Sequence, residues 1–314
     1  MTPNSPAGIE RIARLCVPGR GAVRLQRIGT GLGSRTYRAE RGGRAYSLRL
    51  APAADRGEGF DPHWEHAVRA VAGGAGLAPE VVYSDPVAGV LVSRWVDGRC
   101  WEAAAVADPG RIAAVAALMR AIHALAPPQP TRQVGIADWV AHYERALGGS
   151  APLFDETEAG AGAGALRAAA EVRLRVLAQS GDGVSALCHS DLHALNLVET
   201  PSGLVALDWE YAHVGDPFWD VVGWSCANDW TEATRRDLLE RYLGREPTPR
   251  EWIRFTTVGW LYDYVGLLWS ELYLRRAAAA DAPDARARAR RMIARLRSPP
   301  GSALVADPSA VEAK

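Results

Sequence analysis

An apolar run ending at Cys188 opens into the polar loop His189-Ser190-Asp191-Leu192-His193-Ala194-Leu195-Asn196. Two short apolar runs follow, joined by Thr200-Pro201-Ser202-Gly203, and the second ends on Leu207-Asp208-Trp209-Glu210. This order predicts a strand, a functional loop and a tight hairpin, with Asp191, Asn196 and Asp208 brought close together. A carboxylate can orient an acceptor hydroxyl, and Asn and Asp oxygens suit a hard cation such as Mg²⁺. One loop aspartate would most often be a surface turn residue.

Composition narrows the class. The 36 basic and 36 acidic residues cancel, which argues against a nucleic-acid binder driven by overall charge. The four cysteines, Cys16, Cys100, Cys188 and Cys226, lie far apart with no C-x-x-C spacing. That pattern disfavours a disulfide framework or a zinc knuckle and points to a reducing, cytoplasmic setting. No apolar run reaches the about 18 residues of a membrane span, and Met1 to Glu10 carries no signal-peptide pattern.

Before the loop, Val23 to Leu50 reads as three strands. Gly29-Thr30-Gly31-Leu32-Gly33-Ser34 joins the first two, and Arg41-Gly42-Gly43 joins the next pair. A glycine-rich hairpin lets backbone N–H groups approach a phosphate, although most such hairpins are only turns. Period-two alternation puts Tyr46, Leu48 and Leu50 on one face and Ala45, Ser47 and Arg49 on the other. Pro62 after Asp61 starts a helix carrying Glu65, which runs to about Ala72 before Gly73-Gly74. Val81–Ser84 and Val90–Val96 form a hairpin, after which the composition turns helical: 109–125, 137–147, 166–179, 217–226, 232–243 and 249–276. Gly148 to Gly164 reads as a mobile loop and Ser298 to Lys314 as a frayed tail.

The spacing H-x-D-x-x-x-x-N from His189 to Asn196, with Asp208 closing the next hairpin, resembles the catalytic loop of protein-kinase-like enzymes. Leu207-Asp208-Trp209-Glu210-Tyr211-Ala212 and Gly215-Asp216-Pro217-Phe218-Trp219-Asp220 are similar to the choline/ethanolamine kinase and aminoglycoside phosphotransferase superfamily. Within it they are most similar to the bacterial choline-kinase-like branch, which includes thiamine kinases. The resemblance covers residues 23 to 275. It implies an α+β, two-lobed, protein-kinase-like fold, with a small antiparallel-sheet lobe at 1–96, a mainly helical lobe at 97–297 and a tail at 298–314.

It also implies residue roles. Asp191 is the general base or hydroxyl-orienting group, and Asn196 and Asp208 hold Mg²⁺. Gly31, Gly33 and Ser34 meet the phosphates of ATP, Arg49 pairs with them and with Glu65, and an adenine lies along the backbone of Trp95 and Val96. His189 braces the loop and Asp220 receives its backbone N–H groups. The acceptor is implied to be a small, cationic alcohol: choline or ethanolamine first, thiamine or an aminoglycoside as alternatives. Carboxylates and aromatics suit such a cation, and Asp191, Glu210, Trp260, Tyr264 and Trp269 are the candidates, with Asp263 and Glu271 adding negative charge. Choline kinases carry a W-x-x-W pair in a late helix; this chain keeps Trp269 and has Gly266 in the first slot. Neither nucleic acid nor membrane is expected as a partner. A reading from another class makes His189, Asp191, His193 and Asp208 the ligands of a metallohydrolase, but it leaves Asn196 and Arg49 unexplained.

Overall fold

The computed structural model describes residues 5–30, 34–51, 61–101, 108–148, 163–180, 184–228, 230–276 and 282–297. Gly31, Gly33, most of the segment expected as a mobile loop and the expected tail lie outside these residues. The chain divides into two compact units, Met1–Arg132 with His189–His213 and Gln133–Cys188 with Val214–Lys314.

Alternation builds the first unit. β1 (Arg24–Thr30), β2 (Arg35–Arg41) and β3 (Arg44–Leu50) are consecutive antiparallel strands. With β4 (Val81–Asp85) and β5 (Val90–Arg94) they form a five-stranded sheet ordered β1-β2-β3-β5-β4. Tyr37, Ala39, Tyr46, Leu48, Leu50, Val90 and Val92 share a core with Ile9, Ala13 and Val17 on and after α1 (Pro6–Cys16). The register sets Arg49 opposite both Thr36 and Leu91, on the other face, where only 9% of it is exposed. A buried guanidinium is costly unless paired, and α2 (Pro62–Gly74) supplies the partner.

Asp61 caps α2, its Oδ1 accepting from the N–H groups of His63 and Trp64, and Pro62 occupies the first turn. Trp64 Nε1–H donates to Ala212 O at 2.6 Å, and Ala206 N–H donates to Leu77 O at 2.8 Å. The helix and its exit thus grip both ends of the segment that carries Asp208. The hairpin of β8 (Leu197–Thr200) and β9 (Gly203–Ala206) belongs to this same compact unit. β6 (Arg99–Cys100) pairs with β8, giving a three-stranded sheet ordered β6-β8-β9. α3 (Pro109–His123) buries Ile112, Val115, Met119 and Ile122 at helical spacing.

The second unit is mostly helical. It contains α4 (Ile136–Leu147), α5 (Ala163–Gln179), α6 (Phe218–Ala227), α7 (Glu232–Leu243), α8 (Pro249–Arg276) and α9 (Ala282–Leu296), with β7 (Ala186–Cys188) paired to β10 (His213–Gly215). α8 is the hub, packed against α4, α5, α6 and α9. It starts on a capping box: Glu251 N–H donates to Thr248 Oγ1 at 3.2 Å, and Thr248 N–H donates to Glu251 Oε2 at 2.8 Å. Arg245 grips the same carboxylate at 2.6 Å and, with the Thr248 groups, holds its pKa down at about 2. α9 was not expected from the sequence. Its many arginines mask an apolar stripe of Ala285, Ala289, Met292, Ile293 and Leu296, all buried. No helix among the described residues is long and apolar enough to cross a membrane.

One glycine is fixed by close approach. A Cβ on Gly98 would lie 2.4 Å from Glu199 O and 2.6 Å from Val198 Cγ1. Gly98→Ala must therefore push β8 away from the start of β6. It should destabilise the protein by about 1–3 kcal/mol, read as a lower midpoint in urea unfolding; an unchanged midpoint would show that the backbone yields there without strain.

Candidate active site

The loop after β7 is held by the backbone of its neighbour. His189 is fully buried. Its Nε2–H donates to Leu207 O at 2.8 Å and its Nδ1 accepts from Asp191 N–H at 3.3 Å, so both ring nitrogens are engaged by backbone. Leu207 N–H in turn donates to Asn196 O at 2.8 Å. Both polar backbone groups of Leu207 are thereby tied to the Asp191 loop, and Asp208, the next residue, is aimed from a fixed base. Trp209 is fully buried, packs its ring 4.6 Å from His189 and donates Nε1–H to Ala206 O at 3.0 Å.

Asn196 is buried, and its Nδ2 donates to Asp191 O at 3.0 Å and to Asp191 Oδ2 at 3.3 Å. Its Oδ1 takes no part in these bonds. His193 Nε2 lies 3.7 Å from Asp191 Oδ2. Two non-glycine residues have left-handed φ among the described residues, Ser190 at 72° and Asp208 at 58°. Each such residue stores about 1–3 kcal/mol of strain. Both flank the loop's charged groups, and Ser190 Oγ is braced 2.9 Å from His213 Nδ1.

Arg49 closes the cluster. Its Nη2 donates to both oxygens of the fully buried Glu65. Its Nη1 reaches Asp208 Oδ1 at 3.3 Å and lies 3.6 Å from Glu210 Oε2. Burial works against the Arg49 charge, but Glu65, Asp208 and Glu210 outweigh it and hold its pKa above the ordinary value. Glu210 is the group under most pressure. Burial, then the charge of Asp208, pushes its pKa up to about 8 against the pull of Arg49. So Asp191, Asn196, Asp208, Glu210, Arg49 and Glu65 come together within the first unit. Ser34 is described at the start of β2, and Trp95 N–H is committed to Ala45 O at 3.1 Å. Arg38 lies over the Trp95 ring at 5.3 Å.

The remaining candidates fall in the second unit. Asp220 is buried on the first turn of α6, and with burial itself it helps to push the Cys188 thiol well up in pKa. Trp260 and Tyr264 stack at 5.7 Å on α8. The Arg173 guanidinium sits 3.9 Å over Trp260, and Tyr264 O–H donates to Glu144 Oε1 at 3.1 Å. Trp269 stacks on Tyr273 at 5.2 Å, Asp263 is paired with Arg295 at 2.6 Å, and Glu271 with Arg275 at 2.8 Å. A Cβ on Gly266 would lie 2.7 Å from Met292 Cε, the flexible end of a side chain on α9. The metallohydrolase reading fails on His189, whose two ring nitrogens are already bonded to backbone groups.

Residues 24–255 match the model of the phosphotransferase enzyme family. No curated protein matches the chain by sequence. Among solved structures, a choline/ethanolamine kinase family protein from Mesorhizobium loti is 25% identical. The match covers 90% of this chain and 91% of that one, with a TM-score of 0.70. Choline kinase LicA from Streptococcus pneumoniae is 19% identical over 91% and 96% of the two chains, also with a TM-score of 0.70, and has been solved in complex with AMP. A spectinomycin phosphotransferase in complex with ADP and its antibiotic is 12% identical over 97% and 98%, with a TM-score of 0.63. The antiparallel sheet followed by helices is thus the kinase-like fold of small-molecule kinases. The chain belongs to the phosphotransferase enzyme family.

Glu65 is fully buried, with Arg49 on one side and Arg69 Nη1 at 3.5 Å on the other. Glu65→Ala leaves two buried guanidiniums short of their counter-ion. It should cost about 3–5 kcal/mol of stability, seen by calorimetry or urea unfolding. A loss under 1 kcal/mol would mean that Asp208 and Glu210 suffice as counter-ions.

Proposed function

We propose that this phosphotransferase moves the γ-phosphoryl group of ATP to a hydroxyl of a small, cationic molecule, with choline or ethanolamine as the first candidates. The observation that carries the reading is Arg49, which joins Glu65 to Asp208 beside the Asp191–Asn196 loop. The family match and the AMP and ADP complexes of structural neighbours support a nucleotide as donor. Residues 1–96 would carry most of the nucleotide contacts and residues 97–297 the catalytic and acceptor contacts.

The donor set suits Mg²⁺. Asn196 Oδ1 and the Asp208 carboxylate would be hard oxygen ligands, and Glu210, 3.6 Å from Arg49 like Asp208 at 3.3 Å, adds negative charge that a divalent cation would relieve. When bound, Mg²⁺ draws charge from the phosphoryl oxygens. Arg49 offers its guanidinium to the phosphates, and the 29–34 loop, including Gly31, Gly33 and Ser34, offers backbone N–H groups. With the Trp95 N–H engaged, the Trp95 carbonyl and Val96 are the connector groups that would meet the adenine edge. Asp191 Oδ2 accepts the acceptor's hydroxyl proton while its oxygen forms a bond to the γ-phosphorus. The bond from that phosphorus to the β–γ bridging oxygen breaks, and ADP leaves. His189 keeps the loop in place.

For the acceptor, Asp191 and Glu210 would supply negative charge. Trp269, an aromatic candidate, is stacked on Tyr273 and has the Arg288 guanidinium 5.7 Å from its ring. The Trp260 face carries Arg173, and Tyr264 bonds Glu144. The end of the Met292 side chain packs over Gly266. These departures favour testing thiamine and an aminoglycoside beside choline and ethanolamine.

Mg²⁺-dependent ADP release should be stimulated by one of these alcohols, and Asp191→Asn should lower turnover by about 10²–10⁴-fold, the usual share of a positioned acid–base group, with ATP binding retained. Near-normal turnover of that variant would remove Asp191 from its role. Asp208→Ala should raise the Mg²⁺ concentration needed for half-maximal nucleotide binding, and an unchanged magnesium titration would remove Asp208 as a ligand.

A further inference from the structure

One cation in this cluster has no place in the scheme so far. Arg69 lies on α2 one turn beyond Glu65, is 7% exposed, and has a buried Nε–H with no hydrogen-bond partner among the described residues. Its contact with a carboxylate is the loose one to Glu65 Oε1, Nη1 to oxygen at 3.5 Å. Burial lowers its pKa and the neighbouring Arg49 charge lowers it further, with Glu65 and Asp208 only partly offsetting them. A buried, half-satisfied guanidinium works against folding. An apolar residue of the same length would fill the space at less cost.

Resting on the phosphotransfer reading, we propose that Arg69 is a positioning residue for the donor nucleotide: by sharing the charge of Glu65 it leaves Arg49 positive toward the phosphates. The geometry gives the reason. Both Glu65 oxygens accept from Arg49, while Arg69 Nη1 draws on one of them, Oε1, at 3.5 Å. With Glu65 shared, less of the Arg49 charge is cancelled at its buried end, and more of it acts at the end facing Asp208 and Glu210. Without Arg69, Glu65 would neutralise Arg49 alone, and a bound polyphosphate would meet three carboxylates with one cation among them. The i,i+4 spacing of Glu65 and Arg69 keeps the pair on one helix face, so the sharing survives small movements of α2.

The test separates phosphate recognition from folding. Dissociation constants for Mg·ADP and for adenosine, which lacks phosphate, are measured by calorimetry on the full-length protein, unaltered and with Arg69→Met, Arg69→Gln and Arg69→Lys. Arg69→Met should stay folded with a melting temperature no lower than that of the unaltered protein. It should bind Mg·ADP about tenfold more weakly, the low end of what outer partners of a binding group contribute, and bind adenosine as before. Arg69→Lys should recover most of the loss. If Arg69→Met does not fold, Arg69→Gln carries the same expectation. Equal weakening for both ligands, or no weakening for either, would overturn the proposal and leave Arg69 a packing residue. Failure of the unaltered protein to bind Mg·ADP at all would overturn the phosphotransfer reading itself, and this inference with it.

Discussion

The buried ion pair between Arg49 and Glu65 is the contact on which the first unit depends. A cation on the inner face of a sheet has no water to solvate it, so the chain must bring an anion to it. Glu65 does so from a helix whose start is fixed by Asp61 and Pro62 and whose flanks are bonded to Ala212 and, through Leu77, to Ala206. Those two bonds also hold the segment from Ala206 to Ala212, on which Asp208 lies. One electrostatic requirement in the sheet therefore sets the position of α2, and α2 sets the position of the Asp208 carboxylate relative to the Asp191 loop.

The loop is rigid for a related reason. A polar loop between strands has backbone groups to satisfy, and here His189 and Asn196 satisfy those of Leu207. Neither side chain is spent on solvent. His189 is fully buried against Trp209, and the amide of Asn196 spends its N–H groups on Asp191, which orients the oxygen end for other use. The charged groups are thus aimed by hydrogen bonds to the main chain, which resist displacement better than packing alone.

Much of this was legible because its signals are local. Alternation in β1 to β3 placed Arg49 inward, Asp61-Pro62 marked the start of α2, and the spacing from His189 to Asp208 located the loop and hairpin. What escaped was non-local. The bonds from Trp64 and Leu77 to the two sides of Asp208 join residues more than a hundred positions apart, and no local pattern announces them. α9 was hidden by its arginines, although its apolar stripe repeats at helical spacing. Arg69 lay in plain view four residues after Glu65, but i,i+4 pairs are common on solvated helix faces, and only burial distinguishes this one. The aromatic residues of α8 were a roster of candidates in the sequence. The fold engages several of them with Arg173, Glu144 and Tyr273.

The left-handed backbone at Ser190 and Asp208 bears on how such a protein can be engineered. Glycine at either position would relax the backbone, and a screen for heat resistance would reward it. The same change would remove a hydroxyl that braces the loop through His213, or the carboxylate that faces Arg49. Selection for thermal robustness and selection for a well-aimed site thus pull in opposite directions at these two residues. Libraries built for durability should hold both of them constant.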